Sequence, residues 1–155
     1  MQPPASKRIP GLFVTGTDTD AGKTFVAAVI VRTLVAEGIR VGVSKPVASG
    51  VVPGRPSDAH TLWEAAGRPG SESAVGPQAF AAPLAPPHAA RAEGRVIDEA
   101  RLREGVVALG ATSDVVIVEG AGGLFSPLSE RLLNADLAAD LGLPQSTTTS
   151  GRLGC

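Results

Sequence analysis

The residues of clearest chemical meaning lie near the start of the chain, where the apolar run Gly11-Leu-Phe-Val-Thr-Gly16 leads into Thr17-Asp-Thr-Asp-Ala-Gly-Lys-Thr24. A Gly-Lys-Thr turn between a strand and a helix directs converging backbone N–H groups at phosphate oxygens. It adds an ammonium, Lys23, for the terminal phosphates and a hydroxyl, Thr24, for magnesium. The usual spacing G-x-x-x-x-G-K-[ST] is broken, because Thr17 stands where the first glycine falls and Gly16 lies one position early. The flanking strand and helix restore the reading against the plainer one, a surface helix start with no ligand. Two more groups close apolar runs: Lys45 in Arg40-Val-Gly-Val-Ser-Lys-Pro46, and Glu119 in Asp114-Val-Val-Ile-Val-Glu119, ahead of Gly120-Ala-Gly-Gly123. Ligands of open α/β sheets sit at the carboxyl ends of the strands. Gly22-Lys23-Thr24, Lys45 and Glu119 are therefore expected to meet in one crevice.

The elements that must hold these groups are legible as a βαβ unit followed by further helices and a buried strand. Val26, Val29, Ile30 and Leu34 recur at helical spacing, and Gly38 supplies a stop. Ser57 is a plausible cap for a helix to Ala66, while residues 67–87 read as loop. A helix follows over Val96–Leu109, capped by Asp98 and carrying Leu102, Val106 and Leu109 on one face. The run Asp114–Glu119 has the continuous β-branched character of a parallel strand buried on both faces. Asn134 to Gly142 is a short helix. Gln145-Ser-Thr-Thr-Thr-Ser150 is too polar for a buried core strand, since its hydroxyls would lack partners. The expected fold is α/β, a parallel sheet flanked by helices in the manner of P-loop NTPases. It forms one domain over 1–155, with 1–10 flexible and 145–155 anomalous and poorly ordered.

Composition narrows the function. The 155 residues are 43% hydrophobic, enough for a core, and nineteen glycines with thirteen prolines imply long loops. A net charge of −1 gives no broad basic face for nucleic acid, so a small-molecule ligand is expected. The one cysteine, Cys155, allows no internal disulfide and suits a reducing compartment. Without an apolar leader or a membrane-length run, the expectation is a soluble, cytoplasmic protein with no membrane partner.

Gly16-Thr-Asp-Thr-Asp-Ala-Gly-Lys-Thr24, Lys45-Pro-Val-Ala-Ser-Gly50 and Val118-Glu-Gly-Ala-Gly-Gly-Leu-Phe-Ser-Pro-Leu-Ser129 together resemble the three signature blocks of the dethiobiotin synthetases. Ser57-Asp58-Ala59 and Pro86-Pro87-His88 also resemble family segments, so the likeness covers most of residues 11–144. The resemblance implies a homodimeric ligase that joins CO2 to 7,8-diaminopelargonate with ATP and Mg2+. A carbamate on one amine attacks the γ-phosphate, and the second amine closes the ring as phosphate leaves. By the same resemblance Lys45 and Lys23 are catalytic. The nucleotide is held by Asp20, Ala21, Gly22, Lys23, Thr24 and Phe25, together with Asp58, Glu119, Gly120, Ala121 and Gly122. Thr24, Asp58 and Glu119 carry the metal, and Ser49 and Thr19 bind the diamine. The plainer roles are a buried salt bridge for Lys45, a favourable helix-start charge for Asp58 and a turn hydrogen bond for Ser49. Asp20 stands where relatives often carry glutamate. His88, His60 and Trp63 receive no role.

Members of the family usually continue well beyond this chain's last residue, through later strands and adenine-recognising loops, so the chain reads as truncated. Two alternatives follow from other classes. One is a nucleotide-switched ATPase of the ParA/MinD kind, although the additional lysine those proteins carry early in the loop is missing from Gly16-Thr17-Asp18. The other is a catalytically inactive nucleotide-binding fragment.

Overall fold

A computed structural model describes residues 9–18 and 21–149. The chain runs β1 (Gly11–Gly16), α1 (Lys23–Ala36), β2 (Val41–Ser44), α2 (Asp58–Ala65), α3 (Glu72–Val75), α4 (Pro86–Ala92), α5 (Glu99–Thr112), β3 (Val115–Gly123), α6 (Asn134–Asp140) and β4 (Gln145–Thr148). The four strands form one sheet in the order β2-β3-β1-β4, and every pairing is parallel. Alternate side chains of each strand enter opposite faces. Phe13, Val116 and Val118 thus join one core with Leu102, Val106 and Leu137. Val14 and Ile117 join the other with Ala27, Ala28, Val31, Val43 and Leu62. Burial on both faces explains why β3 is an unbroken β-branched run.

The docked face of α1 differs from the expected stripe. Ala27, Ala28 and Val31 are buried, whereas Val29 is 43% exposed. Small alanines let the helix axis approach the sheet, and that gain outweighs turning the larger valine inward. Lys23, Ala27 and Val31 are spaced by four residues, so the face that docks also carries Lys23 toward the strand ends.

Ser57 caps α2 as expected, accepting the His60 N–H at 3.0 Å, and Asp98 caps α5 through the Arg101 N–H. The segment read as loop over 67–87 contains α3, capped by Ser71, and the start of α4, where Pro86 and Pro87 occupy the first turn. Proline is preorganised for that position and has no N–H to satisfy there. Trp63 of α2 lies 5.4 Å from the Arg68 guanidinium.

Two further expectations are corrected. Gln145–Thr148 is not irregular: it forms β4, parallel to β1. The strand sits at the sheet edge with its side chains exposed or half-buried, and Thr148 Oγ1 donates to the Thr15 carbonyl at 3.2 Å, so the hydroxyls are not stranded in a core. Glu119 does not end β3. The strand continues to Gly123, but the regular pairing with β1 ends at Val14↔Glu119 and resumes at Gly16↔Gly123, which leaves residues 120–122 as a bulge in the ladder.

Candidate functional site

The groups expected at separate strand ends meet. Gly22 precedes α1 with φ of 75°, a conformation that favours glycine, and turns the chain into the helix. Lys23, buried, folds back so that its ammonium donates to the Asp18 carbonyl at 2.7 Å. The Thr24 hydroxyl donates to Glu119 Oε1 at 2.8 Å. From the end of β2, the Lys45 ammonium donates to the same oxygen at 2.7 Å and to the Gly120 carbonyl at 3.0 Å. It also lies 2.9 Å from Asp58 Oδ2, at the first residue of α2. Glu119 is 0% exposed and Lys45 3%, whereas the Asp58 side chain is about half-exposed.

This cluster tunes its own charges. Burial favours neutral Lys45, but Glu119 and then Asp58 outweigh it and hold the ammonium above the usual lysine pKa. For Asp58, burial opposes ionisation, yet Lys45, assisted by Thr24 and Lys23, keeps its pKa below the usual carboxylate range. Lys23 moves the other way: burial, then repulsion from Lys45, lowers its pKa despite Glu119 and Asp58.

A cavity of about 520 Å³ opens beside the cluster. Of the residues singled out in the sequence, Lys23, Thr24, Lys45, Ser49, Asp58 and Glu119 line it, as do Ala121 and Gly122. The others lie elsewhere. Ala21 is buried outside the lining and Gly22 is exposed at the helix start. Phe25 turns outward, 72% exposed. Gly120 packs inward: a Cβ there would meet Asn134 Oδ1 at 2.3 Å and Phe13 Cε1 at 2.9 Å, so it contributes only its carbonyl, to Lys45. Thr19 and Asp20 lie outside the described residues. His88 is exposed, and His60 pairs with Glu72 at 2.8 Å.

Two parts of the site escaped the sequence reading. Pro83-Leu84-Ala85-Pro86 forms a wall of the cavity, within a segment whose proline content announced only irregular backbone. Asn134, fully buried at the start of α6, clasps the glycine-rich wall. Its Oδ1 accepts the Ala121 N–H, and its Nδ2 donates to the carbonyls of Ala121, Gly123 and Ser126. Its one advance signal was an amide residue opening a helix just after a glycine-rich loop.

The oxygen set suits a hard cation. Thr24 Oγ1, Asp58 and Glu119 face one another, and Glu119 Oε2 is buried with no hydrogen-bond partner. Among the described residues no group of three or more His, Cys, Asp or Glu gathers as a complete cage. Two carboxylates and a hydroxyl instead match Mg2+, which keeps waters and takes further oxygens from phosphates.

The profile of a family described as an AAA domain matches residues 10–145. Among curated proteins, the chain is 53% identical over 144 residues to the ATP-dependent dethiobiotin synthetase BioD of Anaeromyxobacter dehalogenans strain 2CP-C, covering 93% of this chain and 65% of that protein. Identity is 50% over 135 residues to the protein of the same name from Rhodopirellula baltica, with 83% and 53% covered. It is 41% over 149 residues to that of Caulobacter vibrioides strain NA1000, with 92% and 67% covered. The chain thus spans about two thirds of the length of most of these relatives.

Proposed function

Since the chain belongs to the ATP-dependent dethiobiotin synthetase family, we propose that it closes the ureido ring of dethiobiotin from 7,8-diaminopelargonate, CO2 and ATP, in biotin biosynthesis. The observation that carries this reading is the meeting of Lys23, Thr24, Lys45, Asp58 and Glu119 on one cavity at the mouth of a helix N-terminus. Phosphoryl transfer needs positioning and charge neutralisation more than covalent chemistry, and these groups supply both.

Backbone N–H groups of the turn at 22–24 cradle the phosphates, and the Lys23 ammonium, released from the Asp18 carbonyl, reaches the β- and γ-phosphates. Thr24, Asp58 and Glu119 hold Mg2+, which when bound neutralises phosphate charge. The diamine occupies the remaining cavity against Ser49, with Thr19 as a further contact. Lys45, kept protonated by its carboxylates, stabilises negative charge on the carbamate and on the γ-phosphate it attacks. Ring closure by the second amine then expels phosphate. Ala121 and Gly122 add nucleotide contacts from the cavity wall, Asp20, Ala21, Gly22 and Phe25 add theirs through the backbone of the phosphate turn, and Gly120 serves the site through its carbonyl on Lys45. The active form is a cytoplasmic homodimer in this reading, with no nucleic-acid or membrane partner.

The deciding experiment incubates the purified chain with ATP, Mg2+, bicarbonate and 7,8-diaminopelargonate and assays dethiobiotin and phosphate. Equimolar product and phosphate are expected, with Lys45→Ala lowering kcat by about a hundredfold or more. Phosphate released without the diamine would support a switch ATPase instead. ATP binding with neither product would assign the chain a nucleotide-binding role alone.

A further inference from the structure

Building on the reading of Thr24, Asp58 and Glu119 as metal-facing oxygens, we infer that Lys45 is an internal counter-cation that keeps this divalent-ion site closed until a nucleotide arrives. Glu119 is fully buried with the half-exposed Asp58 beside it, and this pairing needs a positive partner, because an uncompensated buried charge is strongly destabilising. Lys45 is that partner: its ammonium reaches Glu119 Oε1 at 2.7 Å and Asp58 Oδ2 at 2.9 Å, which places it between the oxygens a metal would use.

The hydrogen bonding is lopsided in a way that fits a second occupant. Glu119 Oε1 receives both Lys45 and the Thr24 hydroxyl, while Oε2, fully buried, receives nothing. A chain that needed only a static ion pair would gain by giving each oxygen a donor. One oxygen held and one left bare is the arrangement of a ligand waiting for a cation.

Charge explains the order of binding. The four ionised side chains that face one another here, Lys23, Lys45, Asp58 and Glu119, sum to zero, with exposed Asp18 the next charge outward. A bare divalent ion entering a neutral cluster meets repulsion from Lys45 and Lys23 that offsets the carboxylate attraction. Nucleotide phosphates reverse this balance, and they offer both ammonium groups new partners. Lys45 then turns from the carboxylates toward the reacting oxygens, and its departure frees Asp58 and Glu119 for the ion. Metal binding is thereby tied to nucleotide binding, and the lysine needed for chemistry is delivered at that moment.

The test is titration of the nucleotide-free full chain with Mn2+, free ion being read by electron paramagnetic resonance. Wild type is expected to bind weakly, and Lys45→Met to bind one Mn2+ about tenfold or more tightly. That gain should vanish in the double variant Lys45→Met, Glu119→Gln. A second readout is thermal: Lys45→Met should melt lower than wild type without metal and recover with Mn2+, whereas the wild-type midpoint stays put. If Lys45→Met folds only with Mn2+ present, that requirement supports the proposal. If it folds under neither condition, Lys45→Gln decides by the same titration. Variants that bind Mn2+ no tighter than wild type overturn the inference. So does nucleotide-free wild type that binds Mn2+ as tightly as it does with a non-hydrolysable ATP analogue. Glu119→Gln in the wild-type background separates the two levels. If analogue-dependent Mn2+ binding survives that change, the assignment of metal ligands fails, and the inference with it. If it is lost while Lys45→Met gains nothing, the assignment stands and only the counter-cation role falls.

Discussion

Four hydrogen bonds run from the Asn134 side chain to the segment that walls the cavity. Removing them leaves the Ala121 N–H and carbonyl without these partners, whereas the Gly123 and Ser126 carbonyls keep the backbone N–H groups of Ser126 and residue 134, and each buried group left unpaired costs about 1–3 kcal/mol before relaxation. Asn134→Ala is expected to lower unfolding free energy by about 3 kcal/mol in urea titrations, and to weaken nucleotide binding measured by calorimetry, because Ala121 and Gly122 lose their anchor. Asn134→Asp should fare little better, since a carboxylate cannot donate to the three carbonyls. If either variant kept full stability, Asn134 would not be the clasp. That Lys23, Thr24, Lys45 and Glu119 would gather was legible in advance, the first two from a Gly-Lys-Thr turn opening a helix and the others from charges that follow apolar runs. The role of Asn134 was not, because its partners are backbone atoms whose positions depend on how β3 bulges against β1.

At the scale of elements, α2 matters for where it begins. Ser57 caps it and Asp58 is its first residue, so the cap fixes the carboxylate that faces Lys45. Ser57→Ala should cost about 1 kcal/mol of stability. It should also weaken metal-dependent nucleotide affinity, while Ser57→Asn, another good cap, should preserve both. Equal losses from the two variants would mean that the cap does not position Asp58. Both this cap and Asp98 of α5 were legible, because capping is written in local sequence. The docked face of α1 was not. Counting large apolar residues favoured Val29, and only contact with the sheet shows that Ala27 and Ala28 permit the closer approach. β4 likewise went unread as a strand because its composition is judged against a buried position, and an edge position makes lighter demands.

For the molecule as a whole, four of the seven exposed large apolar side chains among the described residues lie on segments around the cavity. Phe25 and Phe125 are 72% and 76% exposed, and Leu84 and Val52 are each 49% exposed. Each belongs to a segment that lines or borders the site: Phe25 follows Thr24, Leu84 lines the cavity, Phe125 precedes Ser126, and Val52 neighbours the Ser49–Gly50 loop. Exposed apolar groups rimming a polar site are what an intersubunit contact would cover. Sedimentation velocity is expected to show a dimer, and Phe125→Asp to shift it toward monomer without changing the far-ultraviolet circular dichroism. A wild-type chain that sediments as monomer at all concentrations would refute that arrangement. The order of strands and the two cores were deducible only in outline, since parallel pairing joins residues far apart in the chain.

The chain has one tryptophan and no tyrosine, and Trp63 sits on the helix whose first residue faces Lys45, stacked near the Arg68 guanidinium at 5.4 Å. Its indole N–H is buried without an acceptor among the described residues. Light emitted near the red end of the ultraviolet therefore comes from a single ring, whose colour and brightness depend on a nearby cation and on water reaching one nitrogen. The fold carries its own optical gauge of how α2 sits against the site, and no dye need be attached to read it.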